Sequence, residues 1–298
     1  MPRTRLEGKS GVGKEGLLSA LTVVLRSLFI WAVVLACVAL WVPLIAGVRV
    51  LDRHPARLRT GRWFRRLGIV VTKLNPLWTL RVDGIPALRM GAPYVMVSNH
   101  QSLADIPLIS HLPWEMKWIA KRSLFRLPLI GWMMRMAGDI PLERTDARSG
   151  ARSLLRAARY LRQGCPVMFF PEGTRSTDGR VGRFHDGAFR LALRERASVV
   201  PIAIDGSHAC LPKHSWRFGA ARTIRVRVLP PIEVADLGPD QTAALRERAR
   251  RAIIDQIASW RGTSAPAVDA TGEAATDSMR GEQALATPVA RSAASVRA

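Results

Sequence analysis

The sequence predicts an α/β layered domain with a largely parallel central sheet flanked by helices, preceded by an N-terminal membrane-anchoring helical segment. Two observations lead to this prediction. From residue 94 onward, short apolar and partly β-branched runs alternate with amphipathic helical stretches, which is the pattern of strands buried between layers of helices. Ahead of them lies an uninterrupted uncharged stretch, residues 28–48.

The uncharged stretch is the predicted membrane anchor. At 1.5 Å rise per residue, a helix over residues 28–48 is long enough to cross a hydrocarbon core of about 30 Å. The basic residues between Arg49 and Arg66 place the following domain on the cytoplasmic side of the inner membrane. Basic residues also precede the stretch, and Pro43 interrupts it, so a helix that dips into the membrane and returns stays open.

A second helix is predicted from Trp63 onward. Its apolar residues recur at helical spacing, and basic residues lie between them. This pattern is typical of a helix at a membrane surface, and equally of a helix that packs one face on the protein's own core. The apolar positions are Trp63, Phe64, Leu67, Val70, Val71 and Leu74.

The remaining elements follow from the same periodicities. Buried strands are predicted at residues 94–98, 167–170 and 199–204, and a half-exposed edge strand at 224–229. One helix is expected over about 147–163, stopped by Gly164, and a closing helix over about 241–260, capped by Asp240. The inward face of the first of these helices is predicted to consist of Leu154, Leu155, Ala158 and Leu161.

Four segments result from these patterns. They are a basic leader (1–26), the membrane anchor and interfacial helix (27–77), a catalytic domain (78–261) and an Ala/Ser/Thr-rich tail (262–298) that is expected to be disordered.

Composition limits the binding partners. Lys and Arg outnumber Asp and Glu by 45 to 23, and the net charge of +22 favours a polyanionic partner: nucleic acid, anionic lipid or a phosphorylated substrate. The three cysteines have no short spacing, and the six histidines show no HExxH pattern, so neither a disulfide framework nor a metal site is predicted.

Two motifs contain residues suited to catalysis. In VSNHQSLAD, His100 and Asp105 follow a predicted strand, where a carboxylate can fix the tautomer of a histidine that acts as a base. By itself this pair is also compatible with a surface histidine beside a helix-capping aspartate. In FPEGTRS, a buried strand runs directly into a turn that holds Glu172, Gly173 and Arg175, and an arginine there suits bidentate phosphate binding.

Together, NHQSLAD, GDIPLER, FPEGTRS and VVPIAI resemble, in order and spacing, the four sequence blocks of the glycerolipid acyltransferase superfamily, especially its 1-acyl-glycerol-3-phosphate acyltransferases. The resemblance covers residues 78–233. It implies that His100 is the general base and Asp105 its orienting partner. It also implies an acceptor site, with Arg144 and Arg175 on the phosphate, assisted by Lys121, and with Glu172, Gly173 and Thr174 around it. Ser123 stands where many members carry an acid.

The implied reaction moves a fatty acyl group from acyl-CoA or acyl carrier protein to the sn-2 hydroxyl of 1-acyl-glycerol-3-phosphate, without a cofactor or a metal. Because there is no GxSxG elbow, direct attack by the hydroxyl is expected instead of an acyl-enzyme. The expected partners are anionic membrane lipid, the lysophospholipid acceptor and the thioester donor, and no nucleic acid is expected.

Two alternatives stay open. The acceptor is alternatively a lyso-ornithine lipid, another lysophospholipid or glycerol 3-phosphate. A membrane-tethered nucleic-acid-binding protein would also account for the charge, although it leaves both motifs unexplained.

Overall fold

One sheet organises the chain in this computed structural model, which describes residues 14–89, 91–143 and 145–271. Within those residues the sheet has seven strands in the order β1-β7-β6-β2-β5-β3-β4. The strands are β1 Trp78–Asp83, β2 Tyr94–Ser98, β3 Lys117–Lys121, β4 Ile140–Leu142, β5 Val167–Phe169, β6 Ser198–Asp205 and β7 Arg222–Val228.

Strand direction brings five strand ends together. β2 pairs in parallel with both β5 and β6, and β3 pairs in parallel with both β5 and β4. β7 runs antiparallel to β6, and β1 is parallel to β7. The carboxyl ends of β2 to β6 therefore lie along one edge of the sheet, which is where α/β proteins place their binding sites.

Helices cover both faces of the sheet, and the predicted fold class is confirmed. Buried side chains of the long C-terminal helices pack on one face, and a separate cluster around Met96, Leu108 and Ile224 packs on the other. The helices are α1 Lys14–Leu51, α2 Leu58–Leu74, α3 Asp105–Ile109, α4 Ile130–Ala137, α5 Ala147–Arg162, α6 Gly187–Arg194, α7 Thr242–Arg261 and α8 Ala265–Val268. Short 3₁₀ turns lie at Arg122–Arg126 and Pro239–Gln241.

The structure confirms the predicted helix at α5. Asp146 caps its first turn by accepting a 2.8 Å hydrogen bond from the backbone N–H of Arg148, and Gly164 follows its end at a φ of +70°. Ala158 and Leu161 are buried as expected, but Leu155 is 55% exposed. Small residues at neighbouring positions form the inward face, so Leu155 is turned outward.

The predicted edge position of β7 is wrong. β7 lies inside the sheet, because β1 pairs along its whole length on the side away from β6. Two of its three arginines have partners: Arg227 Nε lies 2.5 Å from an Asp83 carboxylate oxygen, and Arg225 Nη1 donates to the carbonyl of Trp260 at 3.1 Å. The alternation of apolar residues and arginine therefore marks a strand whose arginines are paired with neighbouring elements, and not an open edge.

The C-terminal boundaries also differ from the prediction. Asp240 lies in a 3₁₀ turn and does not cap α7, which begins at Thr242 with no side-chain cap. The fold continues past residue 262, because α8 buries Val268 completely and Asp269 forms an ion pair with Arg250. Residues 272–298 of the predicted tail lie outside the described residues.

The N-terminal helices pack on each other and on α4. α1 begins at Lys14, inside the predicted leader, and continues through Pro43 to Leu51; residues 1–13 lie outside the described range. Among the described residues it is the one helix long and apolar enough to cross a membrane. Val38 and Ile45 of α1 pack with Leu67 of α2 and Met133 of α4. The apolar face of α2 thus contacts the protein's own core, which supports the second of its two predicted roles.

Candidate active site

Loops after the parallel strands form the candidate site. His100 follows β2, the segment from Phe170 to Arg175 follows β5, and Lys121 ends β3. The loops after β2 and β5 are joined directly, because the backbone N–H of Ser176 donates to the carbonyl of His100 at 2.7 Å. The two motifs, 72 residues apart at His100 and Glu172, are therefore neighbours in space.

His100 and Asp105 form a hydrogen-bonded pair. The distance from His100 Nδ1 to Asp105 Oδ2 is 2.8 Å, and the side chain of Asp105 is fully buried. A carboxylate only accepts hydrogen bonds, so this contact assigns the proton to Nδ1 and leaves Nε2 able to accept another. The alternative of an unpaired surface histidine is excluded by this geometry.

Three further donors fix the carboxylate of Asp105. The backbone N–H groups of Gln101 and Ser102 donate to Oδ2 at 2.7 and 2.9 Å, and the Ser207 hydroxyl donates to Oδ1 at 2.5 Å. Ser207 follows β6, 102 residues away in the chain, and is fully buried. Ser207 does not lie in a nucleophile motif, and only the position of the β6 end beside the β2 end indicates its role as a donor to Asp105.

The imidazole of His100 is also held by stacking. Its ring lies 3.9 Å from the ring of Phe170, centroid to centroid, at an interplanar angle of 16°. Phe170 in turn contacts Trp118 of β3 at 5.7 Å. The histidine is therefore fixed through one ring nitrogen and one ring face, which leaves it a single orientation.

Glu172 connects the two loops from inside the protein. Its carboxylate accepts the backbone N–H of His100 at 2.7 Å and that of Gly182 at 3.0 Å. Burial raises the pKa of this carboxyl from 4.5 to about 7, against the lowering effect of those two hydrogen bonds. The residue is 7% exposed, and each oxygen accepts one of these backbone hydrogen bonds, so Glu172 helps to position His100.

The remaining turn residues present a cation beside the pair. Gly173 has a φ of +69°, which only glycine adopts freely, and a Cβ there would lie 3.3 Å from the His185 ring. Arg175 is partly exposed, and its guanidinium makes no hydrogen bond or ion pair with any residue that the structure describes. Lys213, which sequence reasoning missed, donates to the Arg175 carbonyl at 2.9 Å and to the Thr174 hydroxyl at 3.2 Å.

Two predicted cations stand apart from this turn. Lys121 is exposed at the carboxyl end of β3, on the same edge of the sheet but separated from β2 by β5. Arg144 lies outside the described residues. The structure therefore brings His100, Asp105, Glu172, Gly173 and the turn to Arg175 together, with Lys121 farther along the same edge.

The described part of the chain contains no cluster of three or more His, Cys, Asp or Glu side chains that could hold a metal ion. Its buried thiols are not suited to nucleophilic catalysis. Burial raises the pKa of Cys165 to about 12 and that of Cys210 to about 11, so both stay protonated near neutral pH.

A histidine–aspartate pair beside a cationic turn, at the carboxyl ends of parallel strands, has the geometry of a general acid–base site. The protein-family model for acyltransferases matches residues 79–205. A 1-acyl-sn-glycerol-3-phosphate acyltransferase alpha from Ovis aries is 32% identical over 228 residues, 75% of either chain. The chain belongs to this acyltransferase family.

Two further comparisons describe the extent of the similarity. The chloroplastic 1-acyl-sn-glycerol-3-phosphate acyltransferase LPAT1 from Arabidopsis thaliana is 37% identical over 192 residues, 62% of this chain and 54% of its own. The chain thus spans about half the length of this chloroplastic relative and of an algal one. The crystal structure of the LPA acyltransferase PlsC from Thermotoga maritima shares the fold, with a TM-score of 0.68 at 24% identity over 80% of this chain and 98% of that one.

Proposed function

We propose that this protein transfers a fatty acyl group from a thioester to the sn-2 hydroxyl of 1-acyl-glycerol-3-phosphate, making phosphatidic acid. The observation that carries the proposal is the His100–Asp105 pair beside the turn that presents Arg175. The names of the relatives support the same acceptor.

His100 acts as the base in this mechanism. The acceptor hydroxyl gives its proton to Nε2 of His100 while its oxygen attacks the thioester carbonyl carbon. Asp105 stabilises the imidazolium that forms. When the tetrahedral intermediate collapses, the carbon–sulfur bond breaks and the imidazolium protonates the thiolate. The products are an ester and a free thiol, and His100 is neutral again.

The acceptor phosphate is assigned to Arg175. A phosphomonoester needs compensating cations in a partly dry site, and the Arg175 guanidinium, which has no partner among the described residues, supplies two parallel donors. Lys213 holds the backbone of this turn in place and adds a second positive charge beside it. Lys121, at the end of β3, and Arg144 assist.

The way α1 packs supports a particular position for this helix in the membrane. The backbone N–H of Phe218 donates to the Ser27 hydroxyl at 3.0 Å, Trp31 Nε1 donates to the Trp216 carbonyl at 2.8 Å, and Ile45 is buried near α4. These contacts occupy roughly 27 Å of helix, nearly a full hydrocarbon thickness. A spanning α1 would draw the domain into the lipid, so we assign α1 to the plane of the cytoplasmic leaflet of the inner membrane, where it meets lysolipid and soluble donor.

One experiment tests the reaction. The purified full chain is supplied with lysophosphatidate, lyso-ornithine lipid, other lysophospholipids or glycerol 3-phosphate, each with acyl-CoA or acyl carrier protein, and products are identified by mass spectrometry. Phosphatidic acid as the main product supports the proposal. If the acyl group is transferred only to another acceptor, that molecule takes the place of lysophosphatidate in the proposal. Absence of transfer, together with retention of nucleic acid on a filter at moderate salt, would favour the nucleic-acid-binding alternative.

A further inference from the structure

A cavity of about 470 Å³ lies beside the edge strand β4, between α4 and α5. Five arginines line it, together with buried or partly buried Phe125, Pro141, Ser149 and Ser153. The arginines are Arg122, Arg126, Arg135, Arg152 and Arg156. None of them takes part in the chemistry assigned to His100, so the cavity needs an explanation of its own.

The positive charge of this arginine cavity is largely uncompensated. Arg152 forms a 3.4 Å ion pair with Asp146, and both side chains are substantially exposed, so the pair is weak. The other four arginine side chains make no ion pair with any residue that the structure describes. Asp139 also borders the cavity, but it is 2% exposed, and its carboxylate is taken by Arg65 and by the backbone N–H of Trp118.

The shape indicates the size of the ligand. A concave space of this volume falls in the range of small-molecule sites, whereas a protein partner would need a broader and flatter surface. All five arginines are exposed, so the cavity is reached from water. These features suit a small soluble molecule with several phosphate groups, since guanidinium binds phosphate in a bidentate manner.

The position relates the cavity to the active site. Its rim begins at Arg122, which directly follows Lys121 at the carboxyl end of β3, on the sheet edge that holds His100. β2 and β4 are separated by β5 and β3, so at about 4.8 Å per strand the cavity lies roughly 14 Å from the His100 strand. The pantetheine arm of coenzyme A separates its thioester from its nucleotide phosphates by a comparable span.

We propose that the arginine cavity binds the nucleotide phosphates of a coenzyme A thioester and so selects acyl-CoA as the donor. This inference rests on the proposed function, because it supplies that reaction's second substrate. Coenzyme A carries three phosphate groups, whereas the acceptor carries one, which is already assigned to Arg175. The pantetheine arm then runs from the cavity along the carboxyl ends of β3 and β5 toward His100.

The kinetic test uses the full chain in detergent. The double variant Arg126→Gln/Arg156→Gln should raise the KM for acyl-CoA by about tenfold or more and leave the KM for lysophosphatidate unchanged, because charged hydrogen bonds to phosphate are lost. Arg159→Gln is the matched control, since Arg159 is exposed on the same helix as Arg156 but does not line the cavity. An unchanged KM for acyl-CoA in a double variant that melts like the parent overturns the inference.

A binding test separates this inference from the proposed reaction. Coenzyme A itself is titrated calorimetrically into the full-length His100→Ala protein, with and without the double substitution. If the double substitution raises the Kd for coenzyme A by about tenfold, the result supports phosphate binding in the cavity, even if no acyl transfer is found with any donor. An equal Kd overturns it even if transfer proceeds. Loss of binding only to phosphatidylglycerol vesicles, or a raised KM only for acyl carrier protein, would reassign the arginines to a lipid headgroup or to a carrier-protein surface.

Discussion

At the residue scale, the arrangement around Asp105 explains why His100 has a defined role. Four hydrogen-bond donors converge on one buried carboxylate, so the imidazole is oriented before substrate binds. Such preorganisation matters because small displacements of a base lower the rate steeply.

Removing the base should mainly affect turnover. His100→Ala is expected to lower kcat by about 10² to 10⁴, since this is the usual contribution of a general base, while Kd values for both substrates change little. Asp105→Asn should also lower kcat, because an amide cannot stabilise the imidazolium. Steady-state kinetics and calorimetry check both. Near-normal turnover of His100→Ala, or an acyl group trapped on any side chain, would contradict direct attack.

Arg175 should act on one substrate only. Arg175→Ala is expected to raise the KM for lysophosphatidate far more than the KM for the thioester, because the lost guanidinium faces the acceptor phosphate. Arg175→Lys should recover part of the effect, since it keeps the charge and loses the planar fork. Arg159→Gln again serves as an exposed control. Equal increases for both substrates would remove the phosphate assignment.

Glu172 should make stability depend on pH. Its pKa is about 7 in the folded protein and near 4.5 when unfolded, so its contribution to stability is complete below about pH 4.5 and is lost as the pH rises through about 7. The melting temperature of the parent relative to Glu172→Gln should therefore fall between about pH 5 and about pH 8. Scanning calorimetry measures it, with the exposed Asp255→Asn as control. A pH-independent difference would contradict the raised pKa.

The sequence predicted the His100–Asp105 pair, but not the residues that hold the pair and the neighbouring turn in place. His100 and Asp105 lie five residues apart, and their motif is recognisable locally. Ser207 and Lys213 contribute through contacts that depend on the order of β6 and β7 in the sheet, which no local pattern encodes. The motif identifies the loop that holds Glu172, but it does not show that the carboxylate accepts the backbone N–H groups of His100 and Gly182.

At the element scale, a buried polar cluster attaches α2 to the amino ends of β3 and β4. Lys117 is completely buried, and its ammonium donates to Glu115 at 2.7 Å and to the Ala137 carbonyl at 2.9 Å. Arg65 of α2 pairs with Asp139 beside it. Burial raises the pKa of Glu115, opposed by the charges of Lys117 and Arg65. This cluster was not predicted, because the pattern of α2 does not show which of its basic residues is buried.

Gly61 allows α2 to approach this cluster. A Cβ at Gly61 would collide with the Glu115 carboxylate, whereas a Cβ at Gly150 in α5 would have nothing within 4 Å. Gly61→Ala should therefore destabilise the protein by about 1–3 kcal/mol, and Gly150→Ala should stabilise it by up to about 1 kcal/mol. Chemical denaturation in detergent compares the two. A neutral or stabilising Gly61→Ala would show that α2 does not hold this close position.

Periodicity predicted some strands and missed others, and length was not the deciding factor. α5 and the buried strands β2, β5 and β6 have clear patterns, and the structure contains them close to the predicted bounds. β3 and β4 were missed, because Lys117 and Pro141 interrupt their apolar character. The prediction that β7 is an edge strand was wrong because the order of strands in a sheet cannot be read from one strand's sequence. An alternation of apolar and charged residues is the same whether the charged side chains face solvent or a charged partner.

At the scale of the whole molecule, the arginines that contribute to the net charge of +22 lie in several distinct environments. Arginines pair internally with Asp139 and Asp269, line the cavity beside β4, and include Arg175 of the proposed acceptor site. The net charge alone predicts a polyanionic partner. Only the fold shows that the arginines divide between internal ion pairs and two candidate binding sites.

The outward face of α1 should control membrane attachment. Leu28 and Leu35 are 53% and 61% exposed, and they lie two and three residues before Ile30 and Val38, which are buried against the domain. Leu28→Lys/Leu35→Lys should therefore weaken binding to anionic lipid vesicles by at least about tenfold, because two apolar side chains leave the lipid and become charged, while the fold is kept. Vesicle sedimentation measures attachment, and activity on a short-chain, water-soluble acceptor should persist. Leu155→Lys, 55% exposed on α5, is the matched control and should bind like the parent. If the α1 variant stayed fully bound after a carbonate wash, the anchor would lie elsewhere, with exposed Trp132 of α4 the next surface to test.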